Sequence, residues 1–200
     1  GYTPGVYNNQ IGATNRFDYI MLRGFSDGSL DNAFLDGLKI MGDTNSHSSL
    51  VVDPWFLESM EVIRGPASVL YGRASPGGIV ALNSRKPYFE SGGQIKLFAG
   101  NNNQRGAAFD VTGPVDDDDR VAFRLGGIVR KAESQFTTKE ERYALAPSLT
   151  WRITDQTRLE PMAYLHRDPE GGSHAGVPYE GSVVPHNGRY LSNTFYDGEK

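Results

Sequence analysis

Residues 57–87 read LESMEVIRGPASVLYGRASPGGIVALNSRKP and combine short apolar runs with closely spaced glycines. Two segments, at 61–63 and 79–82, predict strands, and the second is continuous enough to be buried. Residues 66–71 predict a short helix between them. Residues 76–78 predict a turn, because glycine adopts backbone conformations that other residues avoid. The stretch therefore predicts a compact unit of strands around a short helix.

The chain ahead of this stretch predicts a similar mixture of short strands and turns. Residues 19–22 form a short apolar run that is typical of a buried strand. Residues 32–40 predict a tight hairpin, since an Asp-Gly turn pair separates two apolar segments. Asp53 can cap a helix and proline is favoured at the first helical position, so we expect a turn over residues 54–60. Together these segments predict an α+β domain.

From Gly92 onward, five segments of about ten residues alternate apolar and polar side chains with the period of a strand. The connectors at 115–120 and 154–157 are short, whereas those at 132–142 and 168–190 are longer. Short turns at one end and long loops at the other are typical of an outer-membrane β-barrel. A soluble β-sandwich with one solvent-exposed face gives the same alternation, so the pattern alone leaves both the barrel and the sandwich open. The apolar positions are Ile95, Leu97, Ala99, Ala107, Phe109, Val111, Val121, Phe123, Leu125, Val129, Tyr143, Leu145, Leu149, Trp151, Leu159, Ala163 and Leu165.

The composition of the 200 residues excludes several classes of protein. The 24 glycines and 11 prolines disfavour a helical protein, and the absence of cysteine excludes disulfides and thiolate metal sites. A net charge of −4 gives no electrostatic reason to expect nucleic-acid binding. The longest aliphatic stretch, residues 79–82, is far shorter than the roughly 20 residues of a membrane-spanning helix. Transmembrane strands stay possible, because alternation hides their lipid-facing residues from averaged hydropathy.

Residues 57–87 closely resemble the plug-domain signature of TonB-dependent outer-membrane receptors. That signature reads like hEVhRGPxSxLYGxxxxGGhVNxxxKxP, with h apolar, and residues 22–25 and 35–37 look like the family's RGF strand and hairpin turn. One departure is residues 81–83, where Val-Asn is commoner. The resemblance implies a fragment with an α+β plug domain over residues 1–88, whose N-terminal part is missing. Antiparallel transmembrane β-barrel strands follow over residues 89–200, about five of the 22 in a plugged transporter.

Within the family, the chain looks most like the hydroxamate siderophore receptors of the ferrichrome and ferrioxamine group, and among these the ferrioxamine type. The grounds are YALAP at 143–147 with TWR at 150–152, the acidic turn at 116–119 and the run DPEGG at 168–172. The resemblance implies a Gram-negative outer-membrane receptor that binds a ferric hydroxamate siderophore. It also implies import with energy from TonB in the periplasm, through a contact segment ahead of Gly1.

Alternatives to this function stay open. The same scaffold takes other cargoes, such as a catecholate siderophore, haem or cobalamin, and a soluble carbohydrate-binding β-sandwich is the rival from another class.

No enzyme, resident cofactor or protein metal site is expected, because the iron arrives already chelated. The four histidines lack short ligand spacing, and the aspartates at 116–119 lack the glycine and distal glutamate of a calcium loop. The expected partners are the siderophore, TonB and the lipid bilayer, with no nucleic acid.

The resemblance places the siderophore on plug loops at residues 10–14, 26–30 and 43–48 and on the first long barrel loop. These loops are polar, as binding loops usually are. Ile11 stands where ferrichrome-type receptors carry an arginine, so that contact is absent or replaced. His174 is the strongest barrel-side candidate, because its ring can donate a hydrogen bond to a hydroxamate or amide oxygen. The candidate contacts are Gly28, Ser29, Asn45, Ser46, His47, His174 and Gly176.

Basic residues flank the strand and helix ends of the signature. They are Arg64, Arg73, Arg85 and Lys86. In the family such plug arginines face carboxylates of the barrel wall. Glu160 lies on the non-lipid side of its predicted strand and is expected to be one partner.

Overall fold

The computed structural model describes residues 3–7, 20–25, 32–40, 42–43, 48–65, 71–72, 74–133, 139–171, 178–192 and 195. A 3₁₀ helix spans Pro54–Phe56 and a short helical turn, α1, spans Tyr179–Ser182. The strands are β1 (Val6–Tyr7), β2 (Met21–Leu22), β3 (Ala33–Leu35), β4 (Leu38–Lys39), β5 (Gly42–Asp43), β6 (Ser48–Ser49), β7 (Leu57–Arg64), β8 (Gly78–Ser84), β9 (Gly92–Ala99), β10 (Arg105–Pro114), β11 (Val121–Glu133), β12 (Lys139–Arg152), β13 (Arg158–Leu159) and β14 (Leu165–Arg167). Within the described residues, no helix has the length and apolar character needed to cross a membrane.

The first sheet has the strand order β4-β3-β8-β7, and we call it the plug sheet. β3 runs parallel to β8, while β7 pairs with β8 in the antiparallel sense. Its core forms around Phe34 and Ile79, and the ring of Tyr71 meets Phe34 edge-on at 5.1 Å. The predicted hairpin is confirmed, with positive φ at both Asp36 and Gly37, as a tight two-residue turn requires.

The expected turn over residues 54–60 is shorter than the sequence indicates. The 3₁₀ helix ends at Phe56, and β7 begins at Leu57. The extended conformation wins from Leu57 onward because this residue already pairs with Ser84 across the sheet. The predicted cap is confirmed, since the Asp53 carboxylate accepts a hydrogen bond from the backbone N–H of Trp55 at 3.0 Å. Residues 66–70 of the predicted helix lie outside the described residues.

The second sheet has the order β9-β10-β11-β12, with β13 and β14 both paired to β12, and we call it the wall sheet. The predicted alternation is confirmed. Ile95 and Leu97 are 80% and 78% exposed on the outward face, while Ala108 and Ile128 on the inward face are buried against the plug residue Phe56. The wall sheet therefore presents an apolar outer surface and packs against the plug on its inner one.

The fifth predicted strand is divided, because Pro161 has no N–H group to donate to the ladder. β13 and β14 share one register with β12, since Trp151 pairs with Leu159, Ser148 with Met162 and Leu145 with Leu165. Between them, the carbonyls of Pro161 and Pro147 each accept a bond at 3.0 Å, from Leu149 and Ala163. Neither proline returns a bond, so the strand is interrupted without a change of register.

Candidate functional site

All seven predicted siderophore contacts lie outside the described residues. They are Gly28, Ser29, Asn45, Ser46, His47, His174 and Gly176. The structure does describe the chain on either side of the third plug loop, where Asp43 of β5 pairs with Ser48 of β6. The loop therefore starts and ends at neighbouring positions. The seven contacts stay predictions, and the best described site is the junction between plug and wall.

A buried carboxylate, Asp110 of β10, lies at the centre of this junction and is 5% exposed. Its two oxygens accept a forked pair of hydrogen bonds from Arg124 of β11, at 2.8 Å from Nε and 2.7 Å from Nη2. The plug residue Arg85 donates a third bond from Nη1 at 2.7 Å. Forked arginine–carboxylate pairs are among the strongest charge-assisted hydrogen bonds. One wall carboxylate thus binds an arginine of its own sheet and an arginine of the plug.

The same two arginines also bind the backbone of the plug. Arg124 Nη1 donates to the carbonyl of Lys86 at 2.8 Å, and Arg85 Nε donates to the carbonyl of Leu57 at 3.1 Å. These bonds give each guanidinium a backbone acceptor in addition to the carboxylate, which lowers the cost of taking its charge out of water. The end of β8 is therefore fixed to the wall sheet by side-chain and backbone contacts together.

Two aromatic residues of the 3₁₀ helix dock beside this cluster. The indole Nε1 of Trp55 donates to the carbonyl of Phe109 at 3.0 Å. Phe56 packs against Ala108, Ile128 and Ala144, and its ring meets Tyr164 edge-on at 5.3 Å. The wall is built from small residues here, and a Cβ on Gly126 would stand only 3.1 Å from the Phe56 ring. Small wall residues therefore create the space that the aromatic ring fills.

A second buried charge cluster lies beyond Phe56 and joins the plug residue Asp53 to the wall. Arg142 of β12, which is 4% exposed, donates from Nε and Nη2 to the two oxygens of Asp168, at 3.0 and 2.7 Å. Asp53 Oδ2 lies 3.9 Å from Arg142 Nη1 and 3.6 Å from Arg130 Nη1. The backbone N–H of Asp53 donates to the hydroxyl of Tyr164 at 3.1 Å. The plug is therefore attached to the wall at two separate ion clusters.

The predicted pairing of a plug arginine with a wall carboxylate is confirmed for Arg85, but its partner is not the predicted one. Arg85 binds Asp110, whereas Glu160 binds Arg158 at 3.1 Å within its own segment. The interpretation of Glu160 as a plug partner is therefore wrong for the described arginines. Lys86 lies 3.5 Å from Asp36 and so pairs within the plug. The alternation of β10 in the sequence places Asp110 on the inward face, and this is the only sequence feature that points to it.

Comparison with known proteins identifies the family. Residues 1–79 match the family model described as TonB-dependent Receptor Plug Domain. The chain is 79% identical over 199 residues, 99% of its length, to the Ferrioxamine B receptor of Salmonella typhimurium strain SL1344. The chain belongs to the TonB-dependent receptors. It spans 28% of the length of that relative. The predicted domain boundary at residue 88 stays a prediction.

One further relative and one solved structure extend this comparison. The chain is 40% identical over 202 residues to the Ferrichrome outer membrane transporter/phage receptor of Escherichia coli K12, covering 100% of the chain and 27% of the relative. It superposes with a TM-score of 0.79 on the ferripyoverdine receptor of the outer membrane of Pseudomonas aeruginosa. That match covers 96% of the chain and 25% of the solved structure at 21% identity, and it shows the fold alone. The receptor is thus a protein of the Gram-negative outer membrane.

Proposed function

We propose that this receptor imports a ferric hydroxamate siderophore of the ferrioxamine type, with energy delivered through TonB. The observation that carries the proposal is the 79% identity to the Ferrioxamine B receptor over 99% of the chain. The iron travels as chelated cargo, so the proposal requires no metal ligand, resident cofactor or enzymatic step from the protein. The apolar outer face of the wall sheet, with Ile95 and Leu97 exposed, suits contact with the lipid bilayer.

The charge of the predicted binding loops supports a hydroxamate cargo over a catecholate one. Residues 10–14, 26–30, 43–48 and 171–176 together contain two aspartates and no lysine or arginine. A ferric tris-hydroxamate centre is uncharged, because the singly charged hydroxamates balance the ferric ion, whereas a ferric tris-catecholate centre is strongly anionic. Electrostatic complementarity opposes an anionic ligand beside acidic loops. These loops therefore suit a neutral or cationic complex.

The candidate contacts fit the same cargo chemically. Asn45, Ser46 and His47 offer hydrogen-bond donors to hydroxamate and amide oxygens, and Ser29 offers a hydroxyl. His174 can donate from its ring and stack on the ligand. Gly28 and Gly176 add no side-chain volume and leave room for the siderophore. We propose these residues as the contacts of the plug loops and of the first long barrel loop.

Cargo selectivity is expected in a binding titration of the purified whole receptor in detergent. Tryptophan fluorescence is followed while ferric ferrioxamine B, ferrichrome or a ferric tris-catecholate is added. We expect the tris-catecholate to bind most weakly, because it alone is anionic. We expect ferrioxamine B to bind most tightly, because the chain is 79% identical to a Ferrioxamine B receptor. Tighter binding of the tris-catecholate than of both hydroxamates contradicts the proposed cargo and favours a catecholate receptor.

The contact assigned to His174 is tested in the same titration. His174→Ala is expected to weaken ferrioxamine B binding by about threefold to tenfold, the equivalent of one lost hydrogen bond. His186→Ala is the matched control, because His186 is exposed and its Nδ1 lies 3.3 Å from Glu180, a contact within the same loop region. An affinity equal to that of the control removes His174 from the site.

A further inference from the structure

Arg142 contacts acidic residues of two segments, one in the plug and one in the wall. Its guanidinium forms a forked pair with Asp168, the first residue after β14. Its third nitrogen faces Asp53 of the plug at 3.9 Å. Asp53 follows the β5–β6 hairpin by four residues, and Asp168 opens the long connector that follows β14. One wall side chain therefore stands between the base of a plug hairpin and the base of a barrel loop.

The plug side of this arrangement is held by more than one contact. Asp53 Oδ1 caps the 3₁₀ helix, and the Asp53 N–H binds the Tyr164 hydroxyl, which in turn donates to the carbonyl of Val51 at 3.4 Å. Asp53 Oδ2 is buried and makes no hydrogen bond within the described residues, so the charges of Arg130 and Arg142 stabilise it. Loss of either arginine leaves a less compensated carboxylate in a buried position.

The barrel side is held by backbone as well as side-chain contacts. The N–H of Glu141, next to Arg142 in β12, donates to the carbonyl of Glu170 at 3.0 Å. The forked Arg142–Asp168 pair lies two residues earlier along the same connector. A forked pair fixes orientation as well as distance, which a single contact does not. The start of the connector is therefore attached to β12 at two points, one through the backbone and one through the Arg142 side chain.

We propose that Arg142 is a positioning residue for siderophore binding, which fixes the plug segment at Asp53 and the barrel connector at Asp168 relative to each other. The inference rests on the proposed function, since it assigns Arg142 a part in binding without contact to the ligand. Without Arg142 the two segments keep the link through Tyr164 but lose the side chain that contacts both Asp53 and Asp168. The ligand must then order them on binding, which lowers its affinity.

The first test measures the distance between the two segments in the whole receptor without ligand. Spin labels are placed on cysteines introduced at the exposed positions Leu50 and Glu170, in a background where all other cysteines are replaced. We expect a narrow distance distribution by pulsed electron paramagnetic resonance and a clearly broader one in Arg142→Gln. Lys131→Gln is the matched control, because Lys131 pairs with Glu141 on the opposite face of the same two strands.

The second test measures affinity for ferric ferrioxamine B on folded protein. Arg142→Gln is expected to weaken binding at least about fivefold, and Asp168→Asn similarly, with little further loss in the double variant because the two side chains act together. An unbroadened distribution, or a broadened one with wild-type affinity, overturns the inference. If Arg142→Gln does not fold, the distance distribution and the affinity are measured on Asp168→Asn instead, and the same results overturn the inference.

The proposed function has its own failing result, which is that the wild-type receptor does not bind ferrioxamine B. In that case the distance distribution of Arg142→Gln still decides whether Arg142 fixes the two segments.

Discussion

Asp110→Ala is expected to destabilise the whole receptor by about 3–5 kcal/mol, the usual cost of removing one partner from a buried ion cluster. The carboxylate accepts bonds from Arg124 and Arg85, and the Arg124 side chain is only 10% exposed. Without Asp110, the buried guanidinium of Arg124 and the partly buried one of Arg85 stay close together with their shared acceptor lost. The plug then loses its attachment at the end of β8, where Arg124 also binds the Lys86 carbonyl.

Calorimetric unfolding of the receptor in detergent measures this loss, and two variants make it specific. Asp110→Asn keeps the shape of the side chain but removes its charge, so it is expected to be destabilising as well. Glu141→Gln removes a carboxylate that pairs with Lys131 on the exposed face, and it is expected to change stability little. Equal unfolding temperatures for Asp110→Ala and Glu141→Gln rule out a structural role for the buried cluster.

Phe56→Ala is expected to cost about 3–5 kcal/mol, as large-to-small changes of buried aromatic residues do. The ring fills a space made by Ala108 and Gly126 and meets the ring of Tyr164 at 5.3 Å. Truncation leaves a cavity that the strands of the wall cannot close, because their backbones are held in a continuous ladder. The docking of the 3₁₀ helix is therefore weakened.

Phe56→Leu is the matched variant, because it keeps most of the apolar volume and loses only the aromatic contact. Its expected cost is about 1–1.5 kcal/mol, clearly below that of the alanine variant. The same calorimetric measurement ranks the two. If alanine and leucine at this position give the same stability, the junction is not held by packing of Phe56, and the ion clusters carry the attachment alone.

Much of the fold is determined by local features of the sequence. The Asp36-Gly37 pair predicts its hairpin because two successive residues with positive φ are tolerated there. Alternation from residue 92 onward predicts which side chains face the plug, including Asp110, because side-chain direction in a strand follows from position alone. The signature at residues 57–87 indicates the family. Alternation alone does not distinguish an outer-membrane barrel from a soluble β-sandwich.

The partners across the junction were not predictable in the same way. Alternation places both Asp110 and Glu160 on the inward side, and nothing local shows that Glu160 pairs with Arg158 while Asp110 meets Arg85. That choice depends on where the 3₁₀ helix docks, a contact between residues far apart in the chain. The sequence predicts Asp53 as a helix cap, but its approach to Arg142 depends on how the plug packs against the wall. The cluster therefore depends on packing between residues far apart in the chain, which no local pattern indicates.

The most direct test of the central claim is uptake of radioactive ferric ferrioxamine B by cells in which this receptor is the sole route for the complex. We predict that iron accumulates when both the receptor and TonB are present, and that accumulation falls to background when either is removed. Binding at the surface is expected to persist without TonB. Equal accumulation with and without TonB, or no accumulation when both are present, contradicts the account of the chain as part of a TonB-driven ferrioxamine importer.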